Sequence, residues 1–452
     1  MKKIAIVGSG ISGLTCAYLL DNYRSGEKFD ITVFEKNDYV GGHTATIDIT
    51  HNGQNHAIDT GFIVFNDRTY PNFNKLLDTL GVNKRATEMS FSVHNRTTGF
   101  EYNGNNINSL FAQRRNLFRP RFWRLLLEII KFNKQCKSLF HRDAIENNQT
   151  LGDFLHANSF SDFFAEHYIL PMGAAIWSTS LKEMKAFELK FFIQFFYHHG
   201  LLNISDRPQW YVVAGGSKSY VDQILSRLTK PVLTQSDIQS VTRHQDSVSI
   251  VLNPSSANGL PQTQVFDEVI FACHSDQALA LLSDASEDEK AVLGNIPYSR
   301  NEVVLHTDTA LLPKRKLAWA SWNYLLDGDL LGDGDLLSDE RKPLASDINK
   351  NSKPPRQACV TYNMNILQGF ESASTFCVTL NQTDSIDASK IIQKFIYHHP
   401  VLNSDSVAAQ KQRSKISGKN HTHFVGAYWY SGFHEDGVRS ALDVTQHFGV
   451  SL

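Results

Sequence analysis

Residues 3–20 read KIAIVGSGISGLTCAYLL, and residues 30–35 read DITVFE. The run 4–7 is apolar and largely β-branched, Gly8, Gly10 and Gly13 follow as G-x-G-x-x-G, and 14–20 opens as an apolar helix. This is a strand, a tight glycine turn and a helix N-terminus. The three glycines differ in what they allow. Gly8 permits the turn, Gly10 lets a pyrophosphate lie against bare backbone, and Gly13 lets helix and strand pack closely. The helix start offers unpaired N–H groups and about half a positive charge. Gly8, Ser9, Gly10, Ser12 and Gly13 are therefore candidate cofactor contacts, joined by Glu35 and Lys36 at the end of the second strand. Glu35 accepts hydrogen bonds from a ribose 2′- and 3′-hydroxyl pair and repels a 2′-phosphate. The expected ligand is an adenine dinucleotide without that phosphate, NAD or FAD.

Working outward, 452 residues exceed one simple core and suggest two domains. Aromatics at 11% and charged residues at 20% describe a folded globular protein. A net charge of −2 gives no reason to expect nucleic acid as a partner. Met1-Lys2-Lys3 before an apolar run has the outline of a secretory leader, but three glycines and direct continuation into a second strand argue against one. Five scattered cysteines without a C-x-x-C pair fit a reduced, cytoplasmic setting with buried thiols. No uninterrupted apolar run reaches the roughly 18 residues that read as a membrane span.

After Glu35 comes Gly41-Gly42-His43-Thr44, then alternating residues, a turn at Asn52-Gly53 and the segment 57–65, AIDTGFIVF. A second glycine pair beyond the ribose-binding acid is not needed for NAD. It is expected where a longer nucleotide arm runs past the backbone. The order of acid, G-G-H and D-x-G resembles the flavin-containing amine oxidase and phytoene desaturase superfamily. That resemblance implies FAD and adds Gly41, Gly42, His43, Thr60, Gly61, Phe62 and Ile63 as contacts. Downstream, 210–216 leads into a helix over 219–228, and 238–241, 248–252 and 266–275 resemble the family's returning strands, with Val241 at the position beside the adenine. Residues 423–441 resemble its closing strand, loop and helix, in which Gly426, Glu435, Asp436 and Gly437 bring a second helix N-terminus to the flavin end.

The implied fold class is α/β: a Rossmann-like FAD-binding domain over 1–68, 205–290 and 415–452, with a discontinuous α+β substrate domain over 69–204 and 291–414. The intervening blocks begin with a helix over 70–80 stopped at Gly81 and a hairpin around 95–99. Residues 114–142 then carry nine Lys or Arg against the single acid Glu128, interleaved with Phe, Trp, Leu and Ile. Two readings stand: a peripheral contact with anionic lipid, or a helix whose basic side is merely solvated. A capping box at Ser180 and Glu183 opens a helix expected to run unbroken to Gly200, with Phe191, Phe192, Phe195 and Phe196 inside it. His198-His199 at its end lack a partner at i+4, and no metal is expected. The Asp- and Gly-rich stretch 325–356 reads as a surface insertion.

A narrower resemblance covers nearly the whole chain. Asp59-Thr-Gly-Phe-Ile-Val-Phe-Asn66, Tyr70-Pro71-Asn72, Pro171-Met172-Gly173, Ser321-Trp-Asn-Tyr324, Tyr397-His-His-Pro400 and Gly432-Phe-His-Glu-Asp-Gly437 look like bacterial NAD/FAD-binding-like oxidoreductases encoded beside cyclopropane-fatty-acid-synthase-like methyltransferases. The resemblance implies desaturation of membrane-lipid acyl chains in furan fatty acid synthesis, a hydrophobic substrate, and a methyltransferase as partner. The chain departs from amine oxidases in three places. Gly426 is followed by Ala427 where an acid is usual, leaving Glu435 or Asp436 for that contact. Phe433 stands at a cage tyrosine's position, and no cysteine lies near the C-terminal motif for a covalent thioether, so FAD is expected to be noncovalent. The sequence does not identify the catalytic base: His434 and Tyr428 are candidates, with Trp429 and Glu435 beside them, but each reads first as cofactor contact or packing. Asn365 and Gln368 read as binding a polar head or lining the site. The competing readings are an amine oxidase releasing hydrogen peroxide and a flavin-bearing partner of a lipid methyltransferase.

Overall fold

Strand β1 (Lys2–Val7) is buried on both faces because alternate side chains enter two different layers. Ile4 and Ile6 pack with α1 (Ile11–Asp21) and with the helix His434–Thr445, while Ala5 and Val7 pack with the antiparallel sheet Ile238–Arg243, Val248–Leu252 and Gln262–Phe266. Each of the two fully buried isoleucine side chains contributes about 1.5–3 kcal/mol. The computed structural model describes residues 1–23, 26, 28–146, 149–254, 260–326 and 359–452. β1 pairs in parallel with β2 (Phe29–Phe34) on one side and with Glu268–Phe271 on the other, and the latter pairs in parallel with Thr422–Phe424. This is the Rossmann-like α/β layer, with helices on one face and the three-stranded sheet on the other.

Two compact units are present. The first comprises Met1–Ala86, Gln209–Ser299 and Pro400–Leu452, and the second Thr87–Pro208 and Arg300–His399. The first is thus larger than the segments 1–68, 205–290 and 415–452. Helix Pro71–Leu80 lies in it because Phe73, Leu76, Leu77 and Leu80 fill the same core as α1. Ala409 enters the core on the opposite face of the sheet, and the Gln410 amide donates to the Tyr428 and Tyr430 carbonyls. Gly81, in the left-handed region (φ +71°), stops the helix where the sequence reading placed its end, while its start is Pro71, with Tyr70 as the N-cap and not the first helical residue. The Asn52-Gly53 turn joins antiparallel strands Thr46–His51 and Gln54–Asp59, both turn residues having positive φ.

The second unit is α+β. Its seven-stranded sheet runs Ile391–Pro400, Tyr298–His306, Cys377–Leu380, Val360–Asn363, Trp322–Leu326, Phe91–Asn95, Phe100–Asn103, with Trp322–Leu326 parallel to Phe91–Asn95. The hairpin expected around 95–99 is the Phe91–Asn95 and Phe100–Asn103 pair. The rest of the stretch 325–356 beyond Leu326 lies outside the described residues. One expectation is corrected. The capping box at Ser180 and Glu183 forms, yet the helix stops at Lys185 and a second begins at Leu189. Between them Glu188 is extended, and the segment bonds to a neighbouring stretch, Leu151 N–H to Phe187 O (2.9 Å) and Leu189 N–H to Gln149 O (2.9 Å). Those external partners take the backbone groups an unbroken helix would use internally.

The tightest backbone contact lies at Gly13, where a Cβ would fall 2.1 Å from the Gly8 carbonyl oxygen. Gly13→Ala is therefore expected to cost about 3 kcal/mol or more, read as a lower midpoint in thermal or urea unfolding even without any ligand.

Candidate cofactor site

The first turn of α1 has no side-chain cap: its N-cap is Gly10, and Leu14 N–H is the first to bond back, to the Gly10 carbonyl (2.9 Å). The N–H groups of this turn and the positive end of the helix are available to an anion. A Cβ on Gly10 would meet nothing within 4 Å, whereas one on Gly8 would lie 2.8 Å from Ala272 and Gly8 itself has φ +110°. Gly8 and Gly13 thus serve the fold, and of the three glycines in the turn Gly10 alone leaves open space. The second glycine pair passes this spot, since a Cβ on Gly42 would come within 3.2 Å of the Gly10 Cα.

Glu35, at the end of β2, is buried. Its Oε2 accepts from Ser9 N–H (3.0 Å) and from the Ser9 hydroxyl (2.6 Å), and its Oε1 from Asn37 N–H (2.9 Å). The Ser9 hydroxyl in turn accepts from Gly41 N–H (3.3 Å), so turn, acid and glycine pair are one hydrogen-bonded unit. Lys36 is outside it, exposed and 3.9 Å from Asp237. Val241 is fully buried in the core below β1, with its carbonyl accepting from Ser283 N–H (3.0 Å).

The helix His434–Thr445 starts beside α1: a Cβ on Gly437 would lie 2.6 Å from the Ile11 side chain and 3.1 Å from the Ser12 hydroxyl. Two helix N-termini converge there. The acids of the second helix are already engaged. Glu435 caps helix Pro71–Leu80, accepting from Phe73 N–H (2.8 Å), Asn72 N–H (3.1 Å) and the Asn72 amide (2.6 Å). Asp436 accepts from Phe433 N–H (2.9 Å) and Ser431 N–H (3.2 Å), and burial pushes its carboxyl up to about 7. Both carboxylates thus carry hydrogen bonds within the protein.

His434 is also held. Its ring stacks on Phe62 with centroids 3.5 Å apart, and Nε2 faces the Tyr220 hydroxyl (2.9 Å) and the Thr44 hydroxyl (3.1 Å), which bond to each other. Burial drives the imidazole well below its usual pKa, so it is neutral and positions Phe62 and Thr44. Tyr428 and Trp429 are buried in the core beside Phe424, and Gly426 is required because a Cβ there would strike the Tyr428 ring at 2.2 Å. Thr60, Gly61, Phe62 and Ile63 continue the 46–59 hairpin: Thr60 N–H bonds Ala45 O (2.8 Å), Phe62 N–H bonds His43 O (2.8 Å), Gly61 lies against that same carbonyl, and Ile63 is buried. Asn365 belongs to the second unit, where its side chain accepts from Phe376 N–H (2.8 Å) and donates to Ser374 O (3.0 Å); Gln368 is buried in the same unit.

Sequence reading passed over four groups. Tyr220 and Thr44 complete the His434 network. His274 stacks on Tyr298 (4.4 Å) and faces His43 (5.9 Å). Asp59 had a signal, being the acid of D-x-G. It is fully buried, and its Oδ1 accepts from Ser217 N–H (2.8 Å), the Ser217 hydroxyl (2.8 Å) and the Thr46 hydroxyl (2.5 Å), joining the hairpin to helix Lys218–Leu225.

A family model described as an NAD(P)-binding Rossmann-like domain matches residues 6–80. No curated protein sequence matches the chain. Among solved structures, a CLA-producing fatty acid isomerase from P. acnes is 15% identical, with 99% of this chain and 98% of that one covered at a TM-score of 0.62. Cyclohexylamine oxidase from Brevibacterium oxydans IH-35A is 13% identical, with 99% of each chain covered and a TM-score of 0.63. Putrescine oxidase bound to putrescine is 13% identical, with 99% and 98% covered and a TM-score of 0.64. The chain shares their fold. It is the amine oxidase-like arrangement of a Rossmann-like layer and a second mixed unit.

Two measurements test the site. Gly10→Ala is expected to leave the melting temperature of ligand-free protein nearly unchanged and to weaken dinucleotide binding about tenfold or more, which a fluorescence titration reads. Burial raises the Asp59 carboxyl from 3.8 to about 6, so its folded pKa exceeds its unfolded one. Stability tied to the neutral acid is then present at low pH and lost as pH rises through about 6. Relative to Asp59→Asn, wild type is expected to lose up to about 3 kcal/mol between pH 4 and 7, measured by urea unfolding of both proteins across that range.

Proposed function

We propose that the chain is an FAD-dependent oxidoreductase that removes a hydride and a proton from adjacent carbons of a lipid acyl chain, leaving a new C=C bond. The observation that carries the cofactor assignment is the cradle at Gly10: an uncapped helix N-terminus, open space at the one glycine of the turn that packing does not require, and Gly42 passing within reach of its Cα. A shorter dinucleotide arm does not call for that second glycine pair. FAD, when bound, supplies an isoalloxazine ring able to accept the hydride. The chain's own residues would hold it: the N–H groups of the first α1 turn at the pyrophosphate, Glu35 at the ribose with Ser9 fixing its orientation, and the His434–Thr445 N-terminus as a second positive pole. No cysteine stands in 423–441, in keeping with noncovalent binding.

The lipid half of the proposal rests on composition and resemblance. The second unit is rich in buried aromatics, with Trp177 ringed by Phe187, Phe191, Phe192, Phe195 and Phe196 at centroid distances of 4.6–6.3 Å. One structural neighbour carries the name of a fatty acid isomerase. An unactivated methylene is a poor hydride donor, so the reacting carbon is placed next to an existing double bond. Protein work is then positioning and exclusion of water. His434 is not the proton acceptor in this scheme, because burial disfavours its charged form and its Nε2 already faces two hydroxyls.

The test is a visible spectrum of purified protein followed by anaerobic addition of phospholipids bearing mono-unsaturated chains. Flavin bands that bleach with lipid are the expected outcome. Bands that ignore every lipid and bleach with an alkylamine replace the substrate class by amines, and a protein that takes up no FAD overturns the cofactor assignment.

A further inference from the structure

The basic-aromatic stretch forms helix Pro120–His141, preceded by a short turn of helix at Arg114–Phe118. Phe122, Leu125, Phe132 and Cys136 face the core of the second unit. The apolar content is not exhausted by that face. Trp123, Leu127 and Ile130, at i, i+4 and i+7, line the opposite side with exposures of 47%, 66% and 51%. Phe118 is 87% exposed and Ile107 79%. The Trp123 indole N–H donates to Leu117 O (2.9 Å), joining the exposed helix row to the turn that carries Leu117 and Phe118. Large apolar side chains gathered in one place at such exposure mark an interaction surface.

Among the described residues, all but one of the cations around this ridge lack a paired carboxylate. Arg124, Lys131 and Lys134 share the exposed face with Trp123, Leu127 and Ile130, and Arg114, Arg115 and Arg119 flank the preceding turn. Of the nine cations in 114–142, only Arg124 has a carboxylate within ion-pair distance among the described residues, Glu128 at 3.2 Å. Arg114 and Arg115 bond to Asn108 and the Gly99 carbonyl, and Lys131 to the Asn158 carbonyl, none of which carries charge. A chain of net charge −2 thus concentrates nine cations and one acid on a single segment.

We infer that this ridge is a docking surface for an anionic lipid bilayer, with Phe118, Trp123, Leu127 and Ile130 entering the headgroup boundary and the flanking Arg and Lys lying over anionic headgroups. Polyanions such as nucleic acid or acidic peptides satisfy the cations but give Leu127, Ile130 and Ile107 nothing to bury in; a bilayer satisfies both. No described helix is long and apolar enough to cross a membrane. This inference stands independently of the substrate assigned above.

The test uses the full chain with vesicles of phosphatidylcholine alone or with about 30% phosphatidylglycerol, at low and at about 0.5 M salt. Flotation is expected with phosphatidylglycerol, suppressed by salt, with a blue shift in tryptophan emission. Phe118→Ser with Leu127→Ser, and separately Arg115→Glu with Lys134→Glu, are each expected to weaken binding about tenfold or more while leaving the melting temperature unchanged, because all four side chains are exposed. Absence of flotation overturns the inference. So does binding that survives the serine pair while failing in the glutamate pair, which would identify a polyanion site without insertion.

Discussion

The structure depends on how closely backbone can approach backbone at one turn. The end of β1, the start of α1, the segment at Gly42 and the start of helix His434–Thr445 all meet around Gly8, Gly10 and Gly13. Any side chain at Gly8 or Gly13 would collide with main-chain atoms that have nowhere to go, so the geometry of turn and helix start is set by sterics before any ligand arrives. The consequence is electrostatic as much as structural. Two helices aim their positive ends at one place, an arrangement with a standing demand for negative charge.

That demand is not met by the nearby acids. Glu435 serves the N-terminus of a third helix, Pro71–Leu80, and Asp436 serves the loop that precedes its own helix. Burial raises both carboxyls, that of Asp436 to about 7. The residues surrounding the cradle are spent on rigidity: Thr44, Tyr220 and His434 form one buried cluster of hydroxyls and imidazole, Asp59 ties the hairpin to the next helix, and Ser9 orients Glu35. Preorganisation of this kind lowers the entropy lost when a long ligand binds.

Much of this was legible before any coordinates, and the reasons are local. Strand, glycine turn, helix and Asn52-Gly53 hairpin each follow from short-range sterics, and the structure has them at Lys2–Val7, Ile11–Asp21 and 46–59. Pro71 and Gly81 bracket their helix for the same reason. The break at 186–188 escaped because its cause is remote: Phe187 and Leu189 exchange hydrogen bonds with 149–151, and nothing in the helix's own sequence announces that. The roles of Glu435 and His434 were hidden similarly. A conspicuous acid or histidine in a C-terminal motif invites a functional reading, whereas its partners, Asn72, Phe73, Thr44 and Tyr220, lie more than two hundred positions away. Helix 71–80 reveals the unit it belongs to only through the core it fills.

The sheet order has a consequence for synthesis. β1 leaves the ribosome about 265 residues ahead of its neighbour Glu268–Phe271, and some 420 ahead of Thr422–Phe424 with its helix. At about 5–20 residues per second, the apolar flank of α1 that helix His434–Thr445 covers stays bare for about 20–85 s. During that interval the nascent chain carries an unpaired parallel strand edge and an uncovered hydrophobic helix. Its productive folding therefore depends on whatever shields that surface in the cell, and slower translation lengthens the exposure in direct proportion.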